Sequence, residues 1–360
     1  VVAATGAVPV ALVRDRAAER VYIEEVRRLL LLILASACGQ DTTDPSRSFP
    51  FGPYSLAPGQ EVTDQCVSVT LHNDAPIYVN QVELTTGPGF HHSNWFYVPE
   101  FVAPGADGTW KCADRNFLDV VAGVQGGVLF AQSTQSTHEI QAFAPGVAIK
   151  IPAHSRIVGD THLLNAGDAV ISVPLSIAIT TIAATEVTTE LAALSFENQA
   201  LGLPPHKASR FTIIDCDIAT EHQTQLGRAP DFSIYYALPH YHTLGTGLTF
   251  EAVRPDGTAT TIYETAHRVG DALGGIIDPP FSMVGYSKIR FSCSFDNPRD
   301  TTVHWGFGDQ EMCVFLAFTD SSRTWAGGAL MYENPGAGVD TGSVVEFTHG
   351  CQVISNDASH

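Results

Sequence analysis

Residues 169–180 read AVISVPLSIAIT. Apolar side chains recur at every second position through most of this run, which sends them to one face of an extended chain. Val, Ile and Thr branch at Cβ and suit a pleated surface better than a helix. The same texture returns at 66–71 (CVSVTL), 77–84 (IYVNQVEL), 147–151 (VAIKI), 233–236 (SIYY), 288–295 (KIRFSCSF) and 312–318 (MCVFLAF). Gly, Pro, Asn and Asp punctuate the intervals. Strands at this density, with almost no helical periodicity, predict an all-β protein built of antiparallel β-sandwiches. The halves show no repeat at a fixed short period, which disfavours a propeller or solenoid.

The chain has 360 residues, 44% hydrophobic and 16% charged, with 31 Gly and 21 Pro. That length suits about two domains, each large enough for its own core. Residues 39–50 (GQDTTDPSRSFP) are polar and Pro-containing, so 38–50 reads as a tether. Residues 191–205 (LAALSFENQALGLPP) carry little alternation and end in a Pro pair. The expected junction is therefore near Ala200, between an N-terminal domain at 51–199 and a C-terminal domain at 200–355. The formal charge is −19, which argues against nucleic acid and anionic membrane surfaces as partners, since both reward basic patches.

Arg27-Arg28 precede six aliphatic residues, Leu29 to Leu34, and then Ala35-Ser36-Ala37-Cys38. A positive segment, a short apolar core and small residues before a Cys read as a bacterial lipoprotein leader at 1–37, with Cys38 lipidated. The run is too short to span a bilayer, so the expected membrane association is by lipid anchor only, in the cell envelope of an exported protein. Two features depart from that pattern: Ala35 where Leu is usual, and the acidic Glu24 and Glu25. An upstream start site would account for the acidic pair; the competing reading is a buried helix ending in an ordinary Cys.

Setting Cys38 aside leaves Cys66, Cys112, Cys216, Cys293, Cys313 and Cys351. An even number in an exported chain predicts three disulfides, and six Cys allow 15 pairings. No Cys-x-x-Cys occurs, which disfavours a thiolate zinc site or a thioredoxin-like redox motif.

The chain holds 14 His, and four places stand apart. His240-Tyr241-His242 follows a strand-like run, and i, i+2 on a strand share a face, so the two imidazoles form a potential metal clamp. By itself His-x-His is weak evidence, and a structural or surface role competes. His91-His92 are adjacent, so both can reach one metal only on an irregular backbone; the preceding TTGPG supplies one, while two solvated loop His are the competing reading. Met312 opens an apolar run. A core Met is the commonest fate, but a thioether beside two imidazoles makes a soft site that selects copper, Cu(I) above all. His162, in THLLN, reads in isolation as a hydrogen-bonded core or rim His.

Taken in order, His91-His92, His162 in THLLN, His240-Tyr241-His242 followed by Thr-Leu-Gly, and Glu311-Met312-Cys313 within WGFGDQEMCV resemble the copper type II, ascorbate-dependent monooxygenases. This is the family of dopamine β-monooxygenase and peptidylglycine α-hydroxylating monooxygenase. The resemblance covers about residues 60–350. It implies two tandem jelly-roll-like β-sandwich domains, one copper each, facing across a solvent-filled cleft. By the same carry-over, His91, His92 and His162 hold an electron-transfer copper. His240, His242 and Met312 hold the catalytic, O2-activating copper. Ascorbate or another one-electron reductant serves as co-substrate, and a C–H bond of a small molecule is hydroxylated. The Cys pattern matches a family disulfide at Cys293–Cys313, with Cys66–Cys112 and Cys216–Cys351 completing the set.

Departures sharpen the expectation. Peptide-amidating members carry an Arg two residues before His-x-His and a Tyr four residues after the Met, and both bind a substrate carboxylate. Here those positions hold Leu238 and Leu316, so no charge-assisted contact is available there and a glycine-extended peptide is not the expected substrate. The middle residue of His-x-His is Tyr241 and the sequence after His91-His92 is SNWF, which places the chain in a bacterial lipoprotein branch. Two other readings compete: a non-catalytic surface copper binder for storage, delivery or sensing, and a structural lipoprotein in which the His are incidental. His72, His138, His154, His206, His222, His267, His304, His349 and His360 receive no role.

Overall fold

A computed structural model describes residues 45–133, 136–269, 273–306, 308–330 and 336–358. The leader and Cys38 lie outside the described residues. Residues 46–360 form one compact unit containing two jelly-roll-like β-sandwiches in tandem. Among the described residues no helix is long and apolar enough to cross a membrane.

In the first sandwich one sheet runs in the order Gly108–Trp110, Glu61–Thr70, Ser155–Leu164, Phe90–Pro99, Gly127–Ala131. It faces a sheet ordered Ser46–Leu56, Ile171–Ile182, Ile77–Thr86, Val147–Ile151. The alternation that opened the sequence reading is realised in Ile171–Ile182, where Val173, Leu175, Ile177 and Ile179 are buried in one core. In the second sandwich Ala259–Thr265, Gly245–Val253, Lys288–Asn297, Lys207–Cys216, Val345–His349 and Val339–Asp340 form one sheet. Ile289, Phe291, Cys293 and Phe295 alternate inward from Lys288–Asn297.

Thr189–Asn198, Val314–Thr319 and Ser233–His240 lie side by side and present one face to each core. Phe315, Ala317 and Ala237 pack into the C-terminal core, while Leu316, Phe318, Tyr236 and Leu238 pack into the N-terminal one. Leu191 and Ala193 likewise belong to the first core and Leu194 and Phe196 to the second. A strand apolar on both faces loses its alternation, which is why 191–198 read as a junction. It is a strand, paired to Val147–Ile151 on one side and to Val314–Thr319 on the other, so the two sandwiches share a continuous sheet.

One further expectation is corrected. Residues 46–50, read as tether, begin the edge strand Ser46–Leu56, paired to Ile171–Ile182; an edge position tolerates Pro50, which with Pro45 made the segment resemble a linker. Among the described residues two short α-helices also occur, Asp119–Gln125 and Ile218–Leu226. The latter is set by its ends. The Asp217 carboxylate accepts the Thr220 N–H at 2.9 Å, and Gly227 closes the helix at φ +70°.

The disulfides are Cys66–Cys112, Cys216–Cys351 and Cys293–Cys313, the pairing the family resemblance implied.

Candidate metal centre

The vicinal histidines sit at the start of Phe90–Pro99. Phe90 pairs with Leu163 and His92 with His162, so His91 is the extra residue of a β-bulge. A bulge re-aims a side chain that a regular strand would send to the opposite face; here it leaves both imidazoles buried. The turn before it needs glycine. Gly89 has φ +86°, and a Cβ there would lie 2.3 Å from Ile171 Cδ1. His162 stands directly across the ladder from His92. Beyond the pair, Trp95 lies flat over Gly159, where any Cβ would lie 2.7 Å from its ring, and its indole N–H donates to Ser93 Oγ at 2.8 Å. This packing is what the SNWF sequence produces.

His240 ends Ser233–His240 and His242 opens the turn that follows. Their rings are 5.2 Å apart between centroids. Tyr241 goes the other way, fully buried in the C-terminal core, with its hydroxyl donating to the His267 carbonyl. Gly245 makes room for it, since a Cβ there would meet the Tyr241 ring at 2.1 Å.

The five histidines converge. Ring nitrogens of His91, His92 and His162 lie within 4.8 Å of one another, and so do those of His92, His240 and His242. Ring centroids are 4.5 Å apart for His91–His162, 5.3 Å for His91–His242 and 5.5 Å for His92–His240, the last pair nearly parallel. The expected solvent-filled cleft between two remote trios is therefore corrected: the two His groups touch. The shared sheet accounts for it. Leu238 is anchored in the N-terminal core, so the strand that carries it delivers His240 beside His92.

Three of the rings are oriented by a specific acceptor. The Nδ1–H of His240 donates to the Gln132 carbonyl and that of His242 to the Gln310 carbonyl, both at 2.8 Å, which leaves Nε2 of each as the metal-binding nitrogen. His242 Nε2 is buried with no hydrogen-bond partner among the described residues. His162 Nε2 bonds Glu61 Oε1 at 2.8 Å, which leaves Nδ1 to ligate. Burial, helped by the neighbouring His162 and His240, holds His91 down to about 4, and burial also takes His240 to about 4. Burial is again the main cause that lowers His92 and His242 well below the ordinary value and lowers His162. Neutral imidazoles are the form that binds metals, so a cluster whose protons are already excluded suits a late first-row metal ion.

Glu311 and Glu61 were given no role in the sequence reading. Glu311 is fully buried; its carboxylate accepts the His242 N–H at 2.9 Å and the Leu244 N–H at 2.7 Å. Burial pushes it up to about 7 despite these bonds and a third from the Met312 N–H. It thus fastens the His-x-His turn to the segment that carries Met312, a buried residue in chain sequence with Cys313 and its disulfide. Glu61 lies close to the same segment: a Cβ on Gly308 would lie 2.7 Å from Glu61 Oε1. The sequence signal for Glu311 was its place beside Met312; Glu61, 101 residues from His162, gave none.

Three of the described histidines without an assigned role have other partners. His138 pairs on the surface with Glu83 at 2.8 Å, His222 stacks on Trp325, and His349 bonds Asn198. Asp160 lies near Cys66 and Cys112, but those sulfurs form a disulfide and offer no thiolate.

No protein-family model and no curated protein matches the chain. Solved structures similar to about three quarters of it include the following three. The major capsid protein P2 of bacteriophage PM2 shows 8% identity and a TM-score of 0.28, covering 76% of this chain and 97% of its own. The PBSX exported protein XepA shows 8% identity and a TM-score of 0.21, covering 76% and 86%. A Sulfolobus Turreted Icosahedral Virus structure shows 10% identity and a TM-score of 0.21, covering 74% and 59%.

Proposed function

We propose that the chain is a copper-dependent monooxygenase that hydroxylates a C–H bond of a small molecule with O2 and a one-electron reductant such as ascorbate. The observation that carries this is the convergence of His91, His92, His162, His240 and His242, from both sandwiches, on one buried position. All-imidazole donors suit copper in both oxidation states better than magnesium or calcium. Copper, when bound, supplies one-electron redox chemistry and O2 activation.

The chain's own residues supply the rest. The Gln132 and Gln310 carbonyls hold the His240 and His242 tautomers, and Glu61 holds His162. Glu311 fixes the spacing between His242 and Met312. Leu238 and Leu316 pair directly and are buried in the N-terminal core. Neither presents a charge to a substrate, in keeping with a substrate recognised without a carboxylate at those positions. The cell-envelope lipoprotein assignment rests on residues 1–38 and is tested by membrane fractionation of Cys38→Ser.

The test is O2 consumption by copper-loaded protein with ascorbate across phenethylamine, aromatic and lipid substrates. Substrate-dependent uptake with a hydroxylated product is expected. A second reading, a non-catalytic copper binder, is favoured by the burial of all five rings, none more than 8% exposed. Tight copper binding without substrate-dependent uptake would select it.

A further inference from the structure

Within the cluster one ring differs from the other four. His92 lies 5.2 Å from His91, 5.2 Å from His162, 5.5 Å from His240 and 5.4 Å from His242, centroid to centroid. It belongs to both ligand trios. The set that the resemblance gives the second copper holds two imidazoles and Met312, and His92 stands within ligand distance of both of those imidazoles. An imidazole has two ring nitrogens on opposite sides of the ring, so one side chain can serve an ion on either side.

We infer that His92 is a ligand common to two copper ions, His91 and His162 completing one set and His240 and His242 the other, so that the centre is a single bridged pair. This rests on the copper reading above. On binding the second Cu(II), the remaining N–H of neutral His92 breaks, its proton passes to water, and a second copper–nitrogen bond forms; no oxidation state changes. With metal–nitrogen bonds of about 2 Å, ions on opposite sides of one ring are about 6 Å apart. Unpaired electrons joined through one imidazolate couple antiferromagnetically. His92 holds this position because the bulge at His91 and the ladder pair to His162 fix its backbone, while the shared sheet brings His240 to its face.

The experiment is Cu(II) titration of the folded chain, read by elemental copper count and by integrated electron paramagnetic resonance at low temperature. The inference predicts two coppers per chain at saturation. About one spin per copper is expected at sub-stoichiometric loading, falling to well below half at saturation, with one proton released per pair. In His92→Gln the spin count per bound copper returns to about one, whatever the copper count. The wild-type titration decides the matter even if that variant fails to fold. Saturation at one copper, or two coppers that keep one spin each, overturns the shared ligand and leaves the copper reading standing. No copper bound at any loading overturns the copper reading itself.

Discussion

The two ends of the His cluster are built differently. His91, His92 and His162 come from neighbouring strands of one sheet, and their spacing is set by a ladder pair and a bulge. His240 and His242 sit where a strand ends, and long-range attachments hold them: the Glu311 carboxylate, the Gln132 and Gln310 carbonyls, and the Cys293–Cys313 disulfide. A site formed inside a sheet is as stable as its sheet. One formed at a strand end is as stable as its fastenings. Single changes outside the ligands should therefore cost the N-terminal trio less than they cost the C-terminal pair.

The largest expected effect is on the fastening itself. Glu311→Ala leaves the buried His242 and Leu244 amide N–H groups unsatisfied, at about 1–3 kcal/mol each. It should also weaken copper binding at the C-terminal pair by at least about 10–100-fold, with the N-terminal trio still loading. Denaturant unfolding and copper titration read the two effects; equal loss at both ends would show that Glu311 does not act on the C-terminal pair alone. Next, Cys293→Ala with Cys313→Ala opens a loop closed over 20 residues and should lower stability by about 3 kcal/mol. A smaller effect is expected for Glu61→Gln. An amide can still accept from His162 but supplies no negative charge, so affinity at the N-terminal trio should fall by about 10-fold, with loading at His240 and His242 unchanged.

The mildest probe is pH. His91 and His240 titrate near 4 when folded and near the ordinary 6.5 when unfolded. Between those values the unfolded chain binds more protons, so apo-protein stability rises with pH across roughly 4 to 6.5. At pH 5 unfolding should take up roughly two protons from these residues alone. A flat stability profile over that window would show that the rings are solvated in the apo-protein.

The β architecture was legible because strands such as Ile171–Ile182 and Lys288–Asn297 bury one face and alternate cleanly. It blurred at Thr189–Asn198, whose two faces meet two cores. The helix Ile218–Leu226 is too short for a periodic signal to rise above its surroundings. The ligand-type residues stood out as unusual His and Met in a recognisable order, and the TTGPG turn did foreshadow the irregular backbone at His91-His92. The contact between the two His groups was not legible, since it depends on Leu238 and Leu316 facing the N-terminal core from strands whose own positions lie in the C-terminal half. Glu61 was hidden for a similar reason: a surface-edge Glu acquires meaning only through the strand pairing that sets it against His162.

On the reading proposed above, five imidazoles from two sandwiches form one copper centre. Anomalous diffraction at the copper edge, on crystals of the loaded protein, tests it most directly. Copper density is expected bounded by His91, His92 and His162 and by His92, His240 and His242. Copper found only at surface histidines such as His138, or absent from the cluster under saturating metal, would contradict it.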